Sequence, residues 1–293
     1  MRAFEFYAAR DASDAVALLA QHGPKVKVLA GGTDLLADLK FAAASHHPHV
    51  VVDISRADDL RGIEMIDQGL RIGALVTHTE IMSSPIIREQ LPALVDAAHT
   101  IGAVQTRNLG TLGGNLVTAV PSMDSGPTLV ALDAIVTIAG PDGKRQVPIT
   151  QFWTGPRKTI LKTSEILVDV IIPKENVGKP THFLKFGLRK GQALALVNVA
   201  ASFHVNGNTF KAPRIGLGAV APTVVTAPSA EGFLEGKPIT PENMAEAGKL
   251  AVNDAKPIND FRASATYRRD LIAVLTRRAL EGAYELHMKR KAK

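Results

Sequence analysis

Cysteine is absent from the 293 residues of this chain, and that single absence removes several chemistries. Without thiolates the chain forms no disulfide and has no cysteine nucleophile. It also cannot ligate zinc or an iron–sulfur cluster through cysteine sulfur. Any iron–sulfur cluster that serves this protein must therefore belong to a partner.

Long apolar runs and a secretory leader are missing as well. No run reaches the ~18 apolar residues that a membrane span requires. The first residues, Met1 to Phe6, pass directly into a strand-like alternation, with no basic region, apolar core or small-residue cleavage site. We therefore expect a cytoplasmic protein with no transmembrane segment.

The formal net charge is +6, but the distribution of that charge does not resemble a nucleic-acid surface. No aromatic residues alternate with the cations, as they do where bases are stacked. We therefore expect no nucleic-acid partner, and we expect a basic face for an acidic partner subunit together with a frayed, solvated C-terminal tail. The excess charge is concentrated in Arg268, Arg269, Arg277, Arg278 and the tail residues Lys289, Arg290, Lys291 and Lys293.

The most informative feature that is present is a pair of glycine-rich turns, Ala30-Gly31-Gly32-Thr33-Asp34 and Thr111-Leu112-Gly113-Gly114-Asn115. Taken singly, either turn could serve only to permit a positive φ. Together, Gly-Gly steps flanked by Thr, Asp and Asn bring bare backbone N–H groups up to an anion. The loop that carries Asp124 adds an acidic group of the kind that binds a ribose hydroxyl.

Neither glycine turn matches the common nucleotide fingerprints. The chain lacks Gly-x-x-x-x-Gly-Lys-Ser/Thr, and neither turn has the Gly-x-Gly-x-x-Gly spacing. We therefore expect a dinucleotide held in some other fold.

The order of predicted elements indicates an α+β chain in two parts. Residues 1–176 form a first domain with subdomains of about 1–57 and 58–176, and residues 177–293 form a second domain, a three-stranded antiparallel sheet backed by helices. The segment 174–179 has no periodicity and is predicted to link the two domains. Strands are predicted over residues 26–30, 50–54, 183–188, 193–205 and 209–220, and helices over 11–22, 85–100, 241–255 and around 267–278. The last helix is predicted to pack through one face that contains Tyr267, Leu271, Val274, Leu275 and Arg278.

Three other motifs have simpler interpretations than a functional site. Gly216-Leu217-Gly218-Ala219-Val220-Ala221 matches Gly-x-Gly-x-x-Ala, but Pro222 follows where a nucleotide-binding helix would have to continue. His46-His47-Pro48-His49 lacks a second group of metal ligands and indicates surface loop histidines. His78 lies inside the sequence Thr77-His78-Thr79-Glu80, which predicts a helix capping box rather than a general base. No catalytic residue and no metal ligand is predicted.

The two turns, the Asp124 loop and two later segments carry a strong resemblance to one family. The later segments are Phe183-Leu184-Lys185-Phe186-Gly187-Leu188-Arg189 and Ser264-Ala265-Thr266-Tyr267-Arg268-Arg269-Asp270-Leu271. Essentially the whole chain resembles the FAD-binding medium subunit of the xanthine dehydrogenase and aerobic carbon monoxide dehydrogenase family of molybdenum hydroxylases. The resemblance implies a two-subdomain FAD-binding domain of the vanillyl-alcohol oxidase (PCMH) type, followed by the small C-terminal domain of this family.

Site residues follow from the resemblance, position by position. It implies that the FAD diphosphate lies on the loop from Val28 to Leu35 and on Thr111 to Asn115, and that Asp124 meets the ribose or adenine side. Ile101 and Leu167 match positions that pack on the flavin, and Lys185 matches a lysine directed at the flavin edge, where a cation stabilises the anionic reduced ring. The cofactor residues implied are Val28, Leu29, Ala30, Gly31, Gly32, Thr33, Asp34, Leu35, Ile101, Thr111, Leu112, Gly113, Gly114, Asn115, Asp124, Leu167 and Lys185.

The resemblance also implies partners. A large molybdopterin subunit would oxidise the substrate, and a small subunit would pass electrons from [2Fe-2S] clusters to FAD on this chain, in a dimer of heterotrimers. Arg189 is followed by Lys190-Gly191-Gln192-Ala193, where many relatives have an acidic residue. The external electron acceptor therefore stays open among NAD, a quinone, oxygen and other carriers.

Two other classes of function stay open. A stand-alone flavoprotein oxidoreductase of the same superfamily would need its own substrate base and a longer substrate domain, and the sequence shows neither. A nucleotide-binding or interaction module without redox activity is the other alternative.

Overall fold

The N-terminal part of the protein contains a small parallel sheet. The computed structural model describes residues 2–41 and 47–292 of the chain. The strands of this sheet are β1 (Glu5–Ala8), β2 (Val26–Leu29) and β3 (Val50–Asp53), in the order β1-β3-β2. The helices are α1 (Ala12–His22) and α2 (Leu35–Phe41). Asp11 caps α1 by accepting a hydrogen bond from the Asp14 N–H, and Gly23 ends it at a φ of 69°.

The middle part is built on a five-stranded antiparallel sheet in the order β4-β5-β10-β6-β7, with a separate two-stranded hairpin, β8-β9. Helices pack on this sheet around an apolar core that includes Leu70, Leu129 and Phe152. The strands are β4 (Ile63–Ile66), β5 (Gly69–Gly73), β6 (Ile135–Gly140), β7 (Gly143–Pro148), β8 (Trp153–Gly155), β9 (Lys158–Thr159) and β10 (Ile166–Pro173). The helices are α3 (His78–Ser83), α4 (Pro85–Gln90), α5 (Pro92–His99), α6 (Val104–Leu109), α7 (Leu112–Thr118) and α8 (Ser125–Ala131).

The C-terminal part contains a sheet of four antiparallel strands, not the three predicted from the sequence. The additional strand, β14 (Val225–Thr226), pairs with β13 through only two residues, too few to produce an alternating pattern. The other strands are β11 (Thr181–Phe186), β12 (Val197–Asn206) and β13 (Thr209–Gly218), and the helices are α9 (Pro228–Leu234), α10 (Pro241–Leu250) and α11 (Ala265–Lys291).

Four further expectations need correction. The helix expected over 85–100 is two helices, because Pro92 starts a new one. The segment 174–179 joins β10 to β11 but is not a loose linker, since Asn176 and Lys179 are buried.

On α11, the predicted packing face is only partly correct, because Val274 faces solvent, whereas Arg268 and Ile272 are buried. The basic tail is not frayed through Lys291, because α11 continues to that residue.

The tail also holds the C-terminal part against the middle part. The guanidinium of Arg290 donates hydrogen bonds to the backbone carbonyls of Gly178 and Glu89. None of the helices in residues 2–41 and 47–292 has both the length and the apolar character to cross a membrane.

Candidate functional site

A cleft of about 240 Å³ opens where the two glycine turns meet the start of β10. Most of the predicted cofactor residues line it, although they come from distant parts of the chain. These are Val28, Ala30, Gly31, Gly32, Thr33, Asp34, Leu35, Ile101, Thr111, Gly113, Gly114, Asn115 and Leu167. Of the remaining predicted residues, Leu29, Leu112, Asp124 and Lys185 do not line it.

The first glycine turn presents free hydrogen-bond donors. Within the described residues, no backbone or side-chain acceptor binds the N–H groups of residues 31–35, while the N–H of Leu36 bonds to the Gly32 carbonyl as α2 begins. Gly32 has a φ of +73°, which side chains other than glycine rarely adopt. The turn therefore offers a row of backbone donors at the edge of the cleft, which suits an anionic ligand.

Gly31 is required for another reason. A Cβ at this position would lie 1.8 Å from the Leu109 carbonyl oxygen, so only glycine allows the turn to touch the end of α6. This contact joins the N-terminal part to the middle part at the cleft.

The second glycine turn works differently from the expectation of bare N–H groups. The N–H groups of Leu112 and Gly113 bond to the carbonyls of Val76 and Ala74, and the N–H of Gly114 bonds to the Thr111 hydroxyl at 3.0 Å. A Cβ on Gly113 would lie 2.7 Å from the Cβ of Ala74. Gly113 therefore allows close packing on Ala74, the residue after β5, while Thr111 and Asn115 remain in the cleft lining.

Apolar residues form the other walls of the cleft. Ile101 and Leu167 lie in the lining as predicted, and Ile54, Leu75, Leu161 and Ile166 join them without having been predicted. Their positions at strand ends and in loops look like ordinary core positions in the sequence. The cleft thus combines polar donors along one side with an apolar wall.

Asp124 and Lys185 form a buried ion pair beside the cleft. The Lys185 Nζ lies 2.5 Å from the Asp124 Oδ2 and also donates to the Thr100 carbonyl at 3.1 Å. Asn198, the cross-strand neighbour of Lys185, donates to the other Asp124 oxygen at 2.9 Å. Burial raises the pKa of Asp124, and the charge of Lys185 opposes that rise. Through the hydrogen bond from Lys185 to the Thr100 carbonyl, β11 contacts the backbone just before Ile101.

His78 is a cleft residue that sequence reasoning did not place there. It is the first residue of α3, and the capping box of Thr77 and Glu80 is present as predicted. Its side chain lines the cleft and is only 2% exposed. Burial, reinforced by the positive charge of Arg107, lowers its pKa to about 4, so the imidazole is neutral near pH 7.

The structure also describes parts of the other motifs. Gly216 and Gly218 lie on β13, and a Cβ on Gly216 would lie 2.2 Å from the Pro127 carbonyl oxygen, so this glycine serves packing. His46 lies outside the described residues. Across residues 2–41 and 47–292, no group of three or more His, Asp or Glu side chains is arranged to hold a metal ion.

The fold and the cleft define a class of protein. It is a mixed helix-and-sheet chain whose ligand cleft has free backbone donors and apolar walls. Two family models identify it further. Residues 2–175 match the FAD binding domain in molybdopterin dehydrogenase, and residues 182–283 match the CO dehydrogenase flavoprotein C-terminal domain. The chain belongs to this family and is an FAD-binding subunit of an oxidoreductase.

Relatives along nearly the whole chain agree. The chain is 34% identical over 281 residues to the carbon monoxide dehydrogenase medium chain of Hydrogenophaga pseudoflava, covering 96% of this chain and 97% of that one. It is 35% identical over 286 residues to the xanthine dehydrogenase FAD-binding subunit of Escherichia coli O157:H7, covering 95% of each.

Solved structures show the same similarity in three dimensions. A chain of carbon monoxide dehydrogenase from Hydrogenophaga pseudoflava matches with a TM-score of 0.92 and 34% identity, covering 97% of this chain and 98% of that one. A chain of quinoline 2-oxidoreductase from Pseudomonas putida 86 matches with a TM-score of 0.89 and 31% identity, covering 97% and 98% respectively. The mixed helix-and-sheet fold is therefore confirmed.

The residues of the cleft fit FAD. The free N–H groups of residues 31–35 suit a diphosphate, and the apolar wall of Ile101 and Leu167 suits a flat ring system. The Nδ1 of His78 is buried without a partner among the described residues. The other ring nitrogen, Nε2, is not enclosed in this way and has no hydrogen-bond partner among the described residues, so the ring can offer one hydrogen bond to a ligand in the cleft.

Proposed function

We propose that this chain is the electron-transfer subunit of a molybdenum hydroxylase complex, in which its FAD receives electrons from [2Fe-2S] clusters of a small subunit and passes them to an external acceptor. A large molybdopterin subunit would oxidise the substrate. The observation that carries the proposal is the row of unbound N–H donors at residues 31–35 in a chain of this family. The lack of cysteine in the sequence supports iron–sulfur clusters on another subunit.

The proposed division of labour follows the two sides of the cleft. The first turn and the polar side chains of Thr111 and Asn115 hold the diphosphate, and Ile101 and Leu167 pack on the ring. Lys185 is assigned to the edge of the flavin ring, where a nearby charge tunes the reduced ring, and its ion-pair partner Asp124 is assigned to the ribose or adenine side. Bound FAD supplies the capacity to accept electrons singly and to deliver them in pairs.

Substrate chemistry is assigned to the partner because the acidic and basic groups of the cleft have other assignments. Asp34, whose pKa is raised by burial, lies in the turn proposed to bind the diphosphate. Glu165, which lines the cleft, is engaged by the Arg145 guanidinium at 2.9 Å. His78 is neutral, and its lowered pKa makes it a poor proton acceptor near pH 7. This chain therefore binds and positions FAD and leaves bond cleavage to the molybdenum subunit.

The finer architecture belongs to the same proposal. Residues 1–176, with subdomains divided near residue 57, form a domain of the vanillyl-alcohol oxidase (PCMH) type, and residues 177–293 form the small C-terminal domain of the family. We place the assembly, a dimer of heterotrimers, in the cytoplasm. The acceptor is one of NAD, a quinone, oxygen or another carrier.

The first prediction is that the purified full chain takes up one FAD per chain. Reconstitution with FAD should give a yellow protein whose bound flavin has quenched fluorescence, and gel filtration should retain the flavin with the chain. A colourless chain that cannot be reconstituted contradicts the assignment of FAD.

The second prediction is that the chain forms a complex with an iron–sulfur subunit and a molybdenum subunit. Purification of the chain from its native host should also recover one subunit with [2Fe-2S] clusters and one with molybdenum, detected by metal analysis and absorbance. FAD-loaded chain without those subunits contradicts the partnership. Turnover of a small substrate by the single chain instead supports the stand-alone flavoprotein oxidoreductase.

A further inference from the structure

The side chain of His78 has no interaction that explains its place in the cleft. Within the described residues, no group hydrogen-bonds either nitrogen of its ring, and Nδ1 is enclosed. The capping box at the start of α3 uses the side chains of Thr77 and Glu80, and the backbone N–H of His78 bonds to the Gly110 carbonyl. The imidazole itself therefore makes no hydrogen bond that supports the local fold.

The neighbours of the ring place it beside the free donors of the first turn. A Cβ on Gly110 would lie 3.4 Å from the His78 Cδ2 and 3.7 Å from the Thr33 Oγ1, so both side chains face the same small space. The positive charge of Arg107 lowers the pKa of His78, but the Arg107 guanidinium does not hydrogen-bond to the imidazole. The guanidinium instead donates to the carbonyls of His99 and Ile101.

We propose that the imidazole of His78 binds FAD directly, donating one hydrogen bond through Nε2 to the cofactor next to the loop of residues 31–35. This inference rests on the proposed function. Because Nδ1 is enclosed and unpartnered, Nε2 is the nitrogen left to meet a ligand. A neutral imidazole carries a single N–H, and protonation of Nε2 matches the acceptor-rich diphosphate and ribityl groups of FAD.

Energetics give this binding role a distinctive signature. Without the cofactor, an unsatisfied buried imidazole opposes folding, so an apolar residue of similar size should be neutral or stabilising. With the cofactor bound, the same replacement leaves a FAD acceptor without its donor. Stability of the FAD-free chain and affinity for FAD should therefore move in opposite directions, whereas a histidine needed for packing would make both fall together.

The test compares the full chain with three substitutions, using FAD itself as the ligand and measuring Kd by flavin fluorescence and Tm without FAD. His78→Leu should keep or raise the Tm and weaken FAD binding roughly ten- to hundredfold. His78→Gln, whose amide reaches the position of Nε2, should restore binding to within about threefold of the original. His78→Asn, whose shorter amide reaches only the position of Nδ1, should not.

Each other outcome has a definite meaning. Equal FAD affinity in wild type and His78→Leu, or a parallel loss of Tm and affinity, overturns the binding role of His78 while leaving the proposed function intact. Rescue by Asn but not by Gln overturns the assignment to Nε2. Failure of the wild-type chain to bind FAD at all overturns the proposed function and this inference with it.

Discussion

Gly32→Val is expected to abolish retention of FAD while leaving the chain folded. At a φ of +73° a β-branched residue costs about 1–2 kcal/mol, and its Cβ would lie 3.0 Å from the Leu29 side chain and 3.3 Å from that of Leu36. The turn must relax, which misaligns the free N–H groups of residues 31–35. Loss of two hydrogen bonds to a charged diphosphate weakens binding by at least about a hundredfold. Flavin retention on gel filtration and the Kd for FAD measure the effect.

Gly236 provides a matched control for the backbone strain. Its φ of +72° is nearly the same, but no atom lies within 4 Å of the Cβ position, and it joins α9 to α10 away from the cleft. Gly236→Val should therefore lower the Tm through backbone strain alone, by no more than Gly32→Val does, and retain FAD at wild-type affinity. Full flavin in Gly32→Val, or equal flavin loss in both variants, would show that the first turn does not hold the diphosphate.

The first glycine turn could be predicted from the sequence because its requirements are local. Positive φ at Gly32 and free N–H groups before a helix both follow from a short segment rich in glycine with polar neighbours. The break between α4 and α5 was equally local, since Pro92 marks it, and the expectation of one helix over 85–100 overlooked it.

The role of the second turn could not be predicted in the same way. Whether the N–H groups of Leu112 and Gly113 are free depends on β5 and the residues after it, which bring the carbonyls of Ala74 and Val76 against the turn. Two turns with similar composition therefore have different roles. One presents donors, and the other packs tightly enough to require glycine.

The sequence also does not show which residues far apart in the chain contact each other in the fold. Asp124 and Lys185 are separated by 61 positions, and the resemblance assigned each of them separately to the cofactor. The structure adds that they bind each other, which neither motif shows. His78 was assigned to a capping box, which is correct, but the same residue also lines the cleft.

Lys185→Met is expected to destabilise the protein strongly, because it removes the cation of the buried pair with Asp124. The exposed fractions of the two side chains are only 8% for Lys185 and 6% for Asp124, so removal of the cation leaves a carboxylate buried beside the neutral side chains of Asn198 and Thr100. Removal of one member of a buried pair typically costs about 3–5 kcal/mol of unfolding free energy. Urea denaturation at pH 8 measures the loss, and Lys249→Met, which breaks an exposed pair with Glu246, is the control expected to change stability by less than about 1 kcal/mol.

The pH dependence of this loss has a definite sign. Burial already raises the pKa of Asp124 above its ordinary value, and loss of Lys185 raises it further. A carboxyl group whose pKa is higher in the folded state binds its proton more tightly there, so its unfavourable effect grows as the pH rises from the ordinary pKa to the folded pKa and is constant above it. The destabilisation by Lys185→Met should therefore be largest near pH 8 and shrink towards pH 5. A loss that grows towards acid would contradict a buried, ionised Asp124.

A second substitution separates charge burial from the other contact of Lys185. Asp124→Asn in the Lys185→Met background removes the stranded charge and should recover most of the unfolding free energy at pH 8. It does not replace the hydrogen bond from Lys185 to the Thr100 carbonyl, which holds the backbone next to Ile101. The double variant should therefore be stable yet still bind FAD more weakly than wild type. Full recovery of both properties would show that Lys185 serves only to neutralise Asp124.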